Sequence, residues 1–270
     1  GSSVTDLDLV IGHSPGLMHS AHGYPLERFL ASSNLTDPDT FSAEPLPESE
    51  LAPHRCDVSY VGHASGTPQA LAAEIASQAP DAFHKCLLKF IQLARPRFEA
   101  NGWLSFADRM ELALQAERES GHPPLAPALR RRILLPAIDR LFDRIVRHQT
   151  LEWAGNWARS RGRVLRIYGR GWERHPTLAR FAAGEIANGR PLRAVYQASA
   201  VSLQVTGYSS LHQRLLDGLC SGALMITRFN PFDFLRQPHA VVQSFMQESH
   251  IETLSALFAL AKSQPQLANA

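Results

Sequence analysis

Residues 57–68, DVSYVGHASGTP, decide the fold class. Asp57 to Val61 form a short run rich in β-branched and aromatic residues, which is typical of a strand. Gly62 and His63 end the run, a small polar turn follows at 64–68, and a helical pattern begins beyond it. We therefore predict a strand, a turn and a helix in that order, which is one repeating unit of an α/β sheet.

The same alternation returns in the second half of the chain. Strands are predicted at residues 163–168, 201–205 and 223–227, and helices at 192–199 and 210–220. Strands that alternate with helices favour a parallel sheet covered on both faces. We therefore predict a Rossmann-like α/β fold.

The residues between these two parts, about 70–160, are predicted to be a long helical insertion. Apolar residues recur there at spacings of three and four, at Leu134, Ile138, Leu141, Phe142 and Ile145, and prolines divide the stretch into several helices. Residues 32–53 are rich in Pro, Ser, Asp and Glu, which is typical of a linker or a surface loop. A further short strand is predicted at 6–11. We expect residues 1–56 to be the end of a truncated N-terminal domain plus a linker, and 57–270 to be one domain.

Composition excludes several classes of protein. The chain has 270 residues, 44% of them hydrophobic, and a formal net charge of +2, so a globular protein is expected and a nucleic-acid partner is not. Its three cysteines, Cys56, Cys86 and Cys220, are typical of reduced structural thiols. No apolar run reaches the roughly 20 residues that cross a bilayer. We expect a cytoplasmic protein without a transmembrane segment.

The predicted helix at 210–220 carries the most informative pattern. Leu211, Leu215 and Leu219 share one apolar face, and Arg214 and Asp217 lie three residues apart on a polar side. In parallel α/β sheets, ligands bind outside the carboxyl ends of the strands, where such helices begin. There an acidic side chain can accept hydrogen bonds from a ribose diol, and an arginine can face a diphosphate. An Arg-Asp pair on a solvated face is the alternative.

Four segments in order resemble the C-terminal domain of GT-B glycosyltransferases, in particular the spore-maturation-protein-like group of family 1-like proteins. They are VSYVGH (58–63), RVLRIYGRGW (163–172), LRAVYQASAVSLQV (192–205) and HQRLLDGLCSGALMITR (212–228). In that group an Arg-x-x-Glu segment and a glycine precede the next strand. Here Arg214, Asp217 and Gly222 take those places, with aspartate in place of the usual glutamate.

The resemblance implies a glycosyltransferase that binds a nucleotide-diphosphate sugar as its donor substrate, without a cofactor or a metal. It implies that the loops with Gly62, His63, Gly169 and Gly171 lie near the phosphates and that Asp217 binds the ribose. Trp172 or Tyr196 would flank the base, and Arg170, His212 or Arg214 would neutralise the leaving diphosphate. The acceptor, whether a glycan, a protein or a small molecule, is not specified.

Three short motifs point to other chemistry. Residues 12–16, GHSPG, match the nucleophile elbow of hydrolases, but Pro15 lacks the N–H that the oxyanion hole requires. The Asp-x-Asp at 37–39 has no strand before it, so a surface turn is expected there. His13, His19 and His22 have no further ligand at a standard spacing, so we predict no metal site.

Two alternatives to the glycosyltransferase stay open. The chain could instead be a non-catalytic nucleotide- or sugar-binding module that docks a partner protein through the helical insertion. It could also be another sugar-nucleotide enzyme, such as an epimerase, which shares the architecture only by analogy. A dinucleotide-binding protein is less favoured, because no Gly-x-Gly-x-x-Gly follows the strand at 57–61.

Overall fold

The computed structural model describes residues 10–12, 29–31, 36–77, 79–121, 123–207, 212–228 and 243–245, with the backbone alone at 10–12, 29–31, 129 and 243–245. The strands are β1 (Val10–Gly12), β2 (Phe29–Ala31), β3 (Cys56–Val61), β4 (Leu165–Tyr168), β5 (Ala182–Gly184), β6 (Ser199–Gln204), β7 (Met225–Arg228) and β8 (Gln243–Phe245). The helices are α1 (Glu48–Leu51), α2 (Pro68–Ile75), α3 (Asp81–Asn101), α4 (Phe106–Glu119), α5 (Pro127–Leu129), α6 (Leu135–Ser160), α7 (Arg190–Ala198) and α8 (Gln213–Cys220).

The main sheet has the strand order β5-β4-β3-β6-β7-β8, and every neighbouring pair is parallel. Counted from β3 as the first strand, this is the order 3-2-1-4-5-6 of doubly wound Rossmann-like folds. Val58 in β3 pairs with Leu165 on one side and with Val201 on the other. The prediction of an α/β fold with a parallel, Rossmann-like sheet is confirmed. β1 and β2 form a separate parallel pair.

Element boundaries differ from the predictions by a few residues. β4 begins at Leu165, two residues later than predicted, and β6 begins at Ser199, two residues earlier. α8 begins at Gln213, because the side chain of His212 caps it. The predicted strand at 6–11 overlaps β1, and its first four residues lie outside the described part of the chain. β2, β5 and β8 each have three residues and were not predicted.

The predicted helical insertion forms the crossover from β3 to β4. Local sequence signals set the helix ends: Thr67 caps α2, Ser105 and Asp108 form a capping box at α4, and Gly102 ends α3 with a φ of 65°. A π-helical turn at Arg130–Leu134 leads into α6. These helices therefore belong to the doubly wound architecture itself.

One face of the sheet, here called the helical face, packs against α2, α3, α4 and α6. Tyr60 of β3, Ile167 of β4 and Leu203 of β6 point into this core, where they meet helix side chains such as Phe90 and Phe142. The sheet and the crossover helices thus share a single apolar cluster. Burial of this size is the dominant favourable contribution to folding.

The opposite face, here called the segment face, is covered by residues 36–55, α7 and α8. Composition suggests a linker for residues 32–53, but from residue 36 onward this segment is packed. Phe41 is 3% exposed in a cluster with α7 and α8, and Leu46 and Leu51 are buried against Ala194 and Ala198 of α7. Isolated apolar residues among prolines are enough to dock it.

None of the helices within the described residues is long and apolar enough to cross a membrane.

Candidate functional site

The candidate site lies where β3 and β6 end side by side. The chain leaves these two neighbouring strands towards opposite ends of the sheet, so their carboxyl ends form the topological switch point at which such sheets bind ligands. The loop of residues 62–67 leaves β3, and residues 205–207 leave β6. Of the predicted loop 206–212, residues 208–211 lie outside the described part of the chain.

Side-chain donors occupy all four carbonyl groups from Val61 to Ala64. The donors are Arg214 Nη1 to Val61, Trp172 Nε1 to Gly62 at 2.6 Å, Arg147 Nη1 to His63 at 3.3 Å, and Arg144 Nη1 to Ala64 at 2.8 Å, with His148 Nε2 also on Ala64 at 3.0 Å. Side chains from three separate elements therefore fix this loop.

The segment after β4 holds the loop from one side. The backbone N–H of Arg170 donates to His63 Nδ1 at 3.0 Å, and the carbonyl of Arg170 accepts from the N–H of Ala64 at 2.9 Å. Gly169, with φ of 130°, is required there, because a Cβ at this position would overlap the carbonyl group of Gly62. Gly171 has a φ of 88° and turns the chain into Trp172.

Trp172 lies fully buried beneath the same loop. Its ring makes an edge contact with Tyr60 at 6.0 Å between centroids, and it is 0% exposed. In this conformation neither face of the indole is open to a nucleotide base. The side chain supports the loop by donating to the carbonyl of Gly62.

Two buried histidines, His148 and His175, also support the loop, and the donor and acceptor of each of their hydrogen bonds can be assigned. His148 Nε2 must donate to the carbonyl of Ala64, so His148 Nδ1 accepts from His175 Nε2 at 2.8 Å. His175 Nδ1 then accepts from the N–H of Leu178 at 3.1 Å. Both rings are neutral in this arrangement. Burial lowers the pKa of His148 to about 3 and also lowers the pKa of His175.

Helix α8 brings Arg214 to the carboxyl edge of the sheet. His212 Nδ1 accepts from the backbone N–H of Arg214 at 3.2 Å and from its Nε at 3.3 Å. The guanidinium of Arg214 reaches the carbonyl of Val61 and lies 5.8 Å from the centre of the Tyr60 ring. Arg214 therefore faces β3, and no described carboxylate lies within ion-pair distance of it.

Asp217 is engaged from the segment face. Its carboxylate is 2% exposed, and Oδ1 accepts a hydrogen bond of 2.6 Å from the hydroxyl of Thr36. Burial raises the pKa of Asp217, and the hydrogen bond from Thr36 opposes that rise. Arg214 and Asp217, three residues apart on α8, therefore contact different partners and do not form an ion pair with each other.

Buried polar atoms without partners collect near this edge. Among the described residues, no hydrogen bond satisfies the hydroxyls of Tyr60, Tyr196 and Thr227 or the amide nitrogen of Gln204. Tyr196 is 2% exposed, its ring packs with Phe41, and burial raises its pKa. An unsatisfied buried group costs about 1–3 kcal/mol, and such groups often mark places that water or a ligand completes.

Five arginines surround the edge: Arg144, Arg147, Arg170, Arg214 and Arg228. Arg147 pairs with Asp143 at 2.9 Å, and Arg170 makes a longer contact of 3.7 Å with Glu185. Arg228 donates to the carbonyls of Thr206 and Gly207. The excess of positive charge makes this edge suitable for an anion.

The structure brings most of the sequence-predicted site residues to one edge. The loop residues Gly62, His63, Gly169, Arg170 and Gly171 form contacts with one another, and His212 and Arg214 join them from α8. Tyr196 and Asp217 lie on the segment face, and Trp172 lies beneath the loop. Sequence reasoning missed Thr36, Arg144, Arg147, His148 and His175. The polar spacing of residues 140, 144 and 147 on α6 was a signal, although it is also typical of a solvated helix face.

A separate open cavity of about 450 Å³ lies between the second half of α6 and residues 176–181. Its lining includes the apolar Leu178 and Phe181 and the basic Arg159 and Arg180. It shares no lining residue with the carboxyl edge described above. In the chain as far as it is described, no three potential metal ligands come together.

Comparison with protein-family models, curated proteins and solved structures yields no significant match.

Proposed function

We propose that this chain carries the donor-binding domain of a metal-independent GT-B-type glycosyltransferase. The enzyme would transfer a sugar from a nucleotide-diphosphate sugar to an acceptor glycan, protein or small molecule. One observation carries the proposal: Arg214 reaches the switch point of the sheet, and Asp217 on the same helix bonds to Thr36, so the two side chains do not pair with each other. The switch point is where doubly wound sheets bind nucleotides. A guanidinium and a carboxylate there suit a diphosphate and a ribose diol.

The proposed reaction breaks the bond between the anomeric carbon and the diphosphate oxygen and forms a bond from that carbon to the oxygen of an acceptor hydroxyl, whose proton is released to solvent. The nucleoside diphosphate leaves with the bonding electrons and gains negative charge. Cationic groups that are already in position stabilise such a charge without rearranging. Arg214, which is held by His212 and the carbonyl of Val61, is suited to this role.

The proposal assigns the ribose to Asp217, which can accept hydrogen bonds from hydroxyl groups. Because Thr36 donates to Oδ1 and the side chain is 2% exposed, the ribose hydroxyl would have to take the place of Thr36. The rings of Trp172 and Tyr196 are buried, so neither is open to a base. We therefore assign them to the support of the site and not to binding of the base.

A calorimetric titration with UDP, GDP, TDP and their sugar conjugates tests the proposal. We expect saturable binding of one nucleotide, weakened about tenfold or more by Asp217→Asn and by Arg214→Gln, because each loses a charge-assisted hydrogen bond. Asp81→Asn and Arg131→Gln are matched controls, since both side chains are exposed and remote in sequence from the site. They should bind as the unaltered protein does.

Failure to bind any nucleotide would contradict the proposed function. Binding that survives both site variants would contradict the assignment of Arg214 and Asp217. An assay for release of the free sugar or its transfer separates an enzyme from a binding module: binding without either reaction would favour the non-catalytic alternative.

A further inference from the structure

In the described contacts of the loop that leaves β3, the carbonyl groups are engaged at residues 61–64, and several backbone N–H groups at residues 63–66 are open. All four carbonyl groups there are already hydrogen-bonded to side chains. Within the described contacts, the backbone N–H groups of His63, Ser65 and Gly66 have no acceptor. A backbone segment of this kind attracts anions and repels cations.

The loop is also held in an unfavourable conformation. Ser65 has a φ of 52° and is the one non-glycine residue with positive φ among the described residues. Such conformations are unfavourable for a residue with a side chain and persist when surrounding contacts impose them. Here Arg144 and His148 impose the conformation by binding the carbonyl of the preceding residue, Ala64.

Helix α6 places two guanidinium groups against this loop. Arg144 has no carboxylate within ion-pair distance among the described residues, and burial lowers its pKa. Arg147 has one carboxylate partner, Asp143, whose other oxygen accepts from the N–H of Gly207 at 2.8 Å. The Nε atoms of both arginines are buried and have no hydrogen-bond partner within the described part of the chain. The positive charge from α6 is therefore only partly compensated.

A further buried group ends at the same loop. Tyr60 is 0% exposed, its hydroxyl has no hydrogen-bond partner among the described residues, and it lies 2.7 Å from the position that a Cβ on Gly62 would occupy. Nη1 of Arg214 lies close to the same position. A buried hydroxyl with hydrogen-bonding capacity to spare thus lies beside the loop and the cationic Arg214.

We infer that the β3–α2 loop, together with Arg144 and Arg147, is a binding site for a diphosphate group. The crossover helices are then part of the binding site as well as part of the scaffold. This inference rests on the proposed function for its biological ligand, but inorganic pyrophosphate tests it without any nucleotide.

The experiment is a calorimetric titration of the whole chain with pyrophosphate and with the nucleoside diphosphate that binds best. We expect Arg144→Gln and Arg147→Gln each to weaken pyrophosphate binding about tenfold or more, because each removes a charge-assisted contact. Arg144→Lys keeps the charge and should recover part of the affinity. Arg131→Gln, on an exposed part of the same helical region, should leave the affinity unchanged.

The outcomes separate the two proposals. No measurable binding of pyrophosphate, or equal binding by all variants, overturns the site, even if nucleotides still bind through Arg214 and Asp217. Pyrophosphate binding that depends on Arg144 and Arg147, without binding of any nucleotide, supports the site and overturns the proposed function. A circular-dichroism melt of each variant shows whether a loss of affinity reflects a loss of folding.

Discussion

The two faces of the sheet are covered by different kinds of interaction. On the helical face, the cover is one large apolar cluster that includes Phe90, Phe98 and Phe142, all at most 1% exposed. On the segment face, residues 36–55 are attached by two small apolar clusters and by polar contacts. Gln197 of α7 alone accepts from the N–H of Leu46 and donates to the carbonyls of Ser42 and Glu44.

Because the two faces are covered differently, we expect the helical face to determine the stability of the fold and the segment face to determine access to the site. Apolar packing over a wide area resists local opening, whereas a segment held by a few hydrogen bonds and small apolar clusters can detach at lower cost. Asp217 is covered by the segment, through Thr36, and the loop carbonyls are held by α6. We expect the helical face to fix the anion-binding loop and the segment face to control access to Asp217.

The largest expected effect is on the helical face. Phe142→Ala removes a side chain that is 0% exposed and leaves a cavity, so we expect the free energy of unfolding to fall by about 3–5 kcal/mol. Chemical denaturation of both proteins measures the change. Phe41→Ala on the segment face is the comparison.

Phe41→Ala should lower global stability less, because its loss is limited to the free energy with which residues 36–55 dock. Hydrogen exchange should instead show faster exchange confined to that segment. If Phe41→Ala and Phe142→Ala destabilise the protein equally, the two faces do not differ in the way proposed.

An effect of intermediate size is expected from acid. The pKa of His148 is lowered to about 3 in the folded protein, against an ordinary value of 6.5. The unfolded chain therefore binds a proton first as the pH falls below 6.5, and the folded protein loses about 1.4 kcal/mol of stability per pH unit and per proton. Above pH 6.5 this group contributes no dependence on pH.

Denaturation at pH 7, 6 and 5 measures this slope. His148→Gln removes the titrating group and keeps a polar side chain that can donate to the carbonyl of Ala64. The free energy of unfolding of this variant should be lower at pH 7 than that of the unaltered protein. It should fall less steeply towards pH 5, and the difference in slope should correspond to about one bound proton. Parallel declines in the two proteins would show that His148 is not the buried neutral base described above.

The sequence predicted the parallel sheet because each core strand is a run of buried apolar residues that ends at a turn residue. In β3 this is the DVSYV run before Gly62. β5 was missed, since its three residues, Ala-Ala-Gly, carry no apolar pattern. The packed segment at 36–55 was also missed, because Phe41, Leu46 and Leu51 stand apart from one another among prolines and polar residues. Their partners on α7 are set by tertiary structure.

Only part of the candidate site could be predicted, because its other contacts are likewise set by tertiary structure and not by local sequence. Arg214 and Asp217 share one helix and show a local spacing, and Arg214 reaches the carboxyl edge of the sheet. Arg144 reaches it through the carbonyl of Ala64, 80 residues earlier, and Thr36 contacts Asp217 across 181 residues. No local pattern records contacts over such distances, and a row of arginines on a helix looks like a solvated face.

The smallest expected effect concerns Thr36, the point at which the segment covers the site. Thr36→Val keeps the shape of the side chain and removes the hydroxyl that occupies Oδ1 of Asp217. A ligand hydroxyl then no longer has to displace it. We expect nucleotide affinity to rise by about fivefold, which corresponds to about 1 kcal/mol for one hydrogen bond. Calorimetry with the preferred nucleotide measures the change.

Thr40→Val is the matched control, because Thr40 lies in the same segment and its hydroxyl donates to Asp37 on the surface, at 2.6 Å. It should leave nucleotide affinity unchanged. Weaker binding by Thr36→Val would reverse the interpretation: the hydroxyl would then orient the carboxylate of Asp217 towards the ligand, and the segment face would complete the site. Unchanged binding would mean that the ribose does not reach Asp217, which would move the ligand to the β3–α2 loop and the arginines of α6.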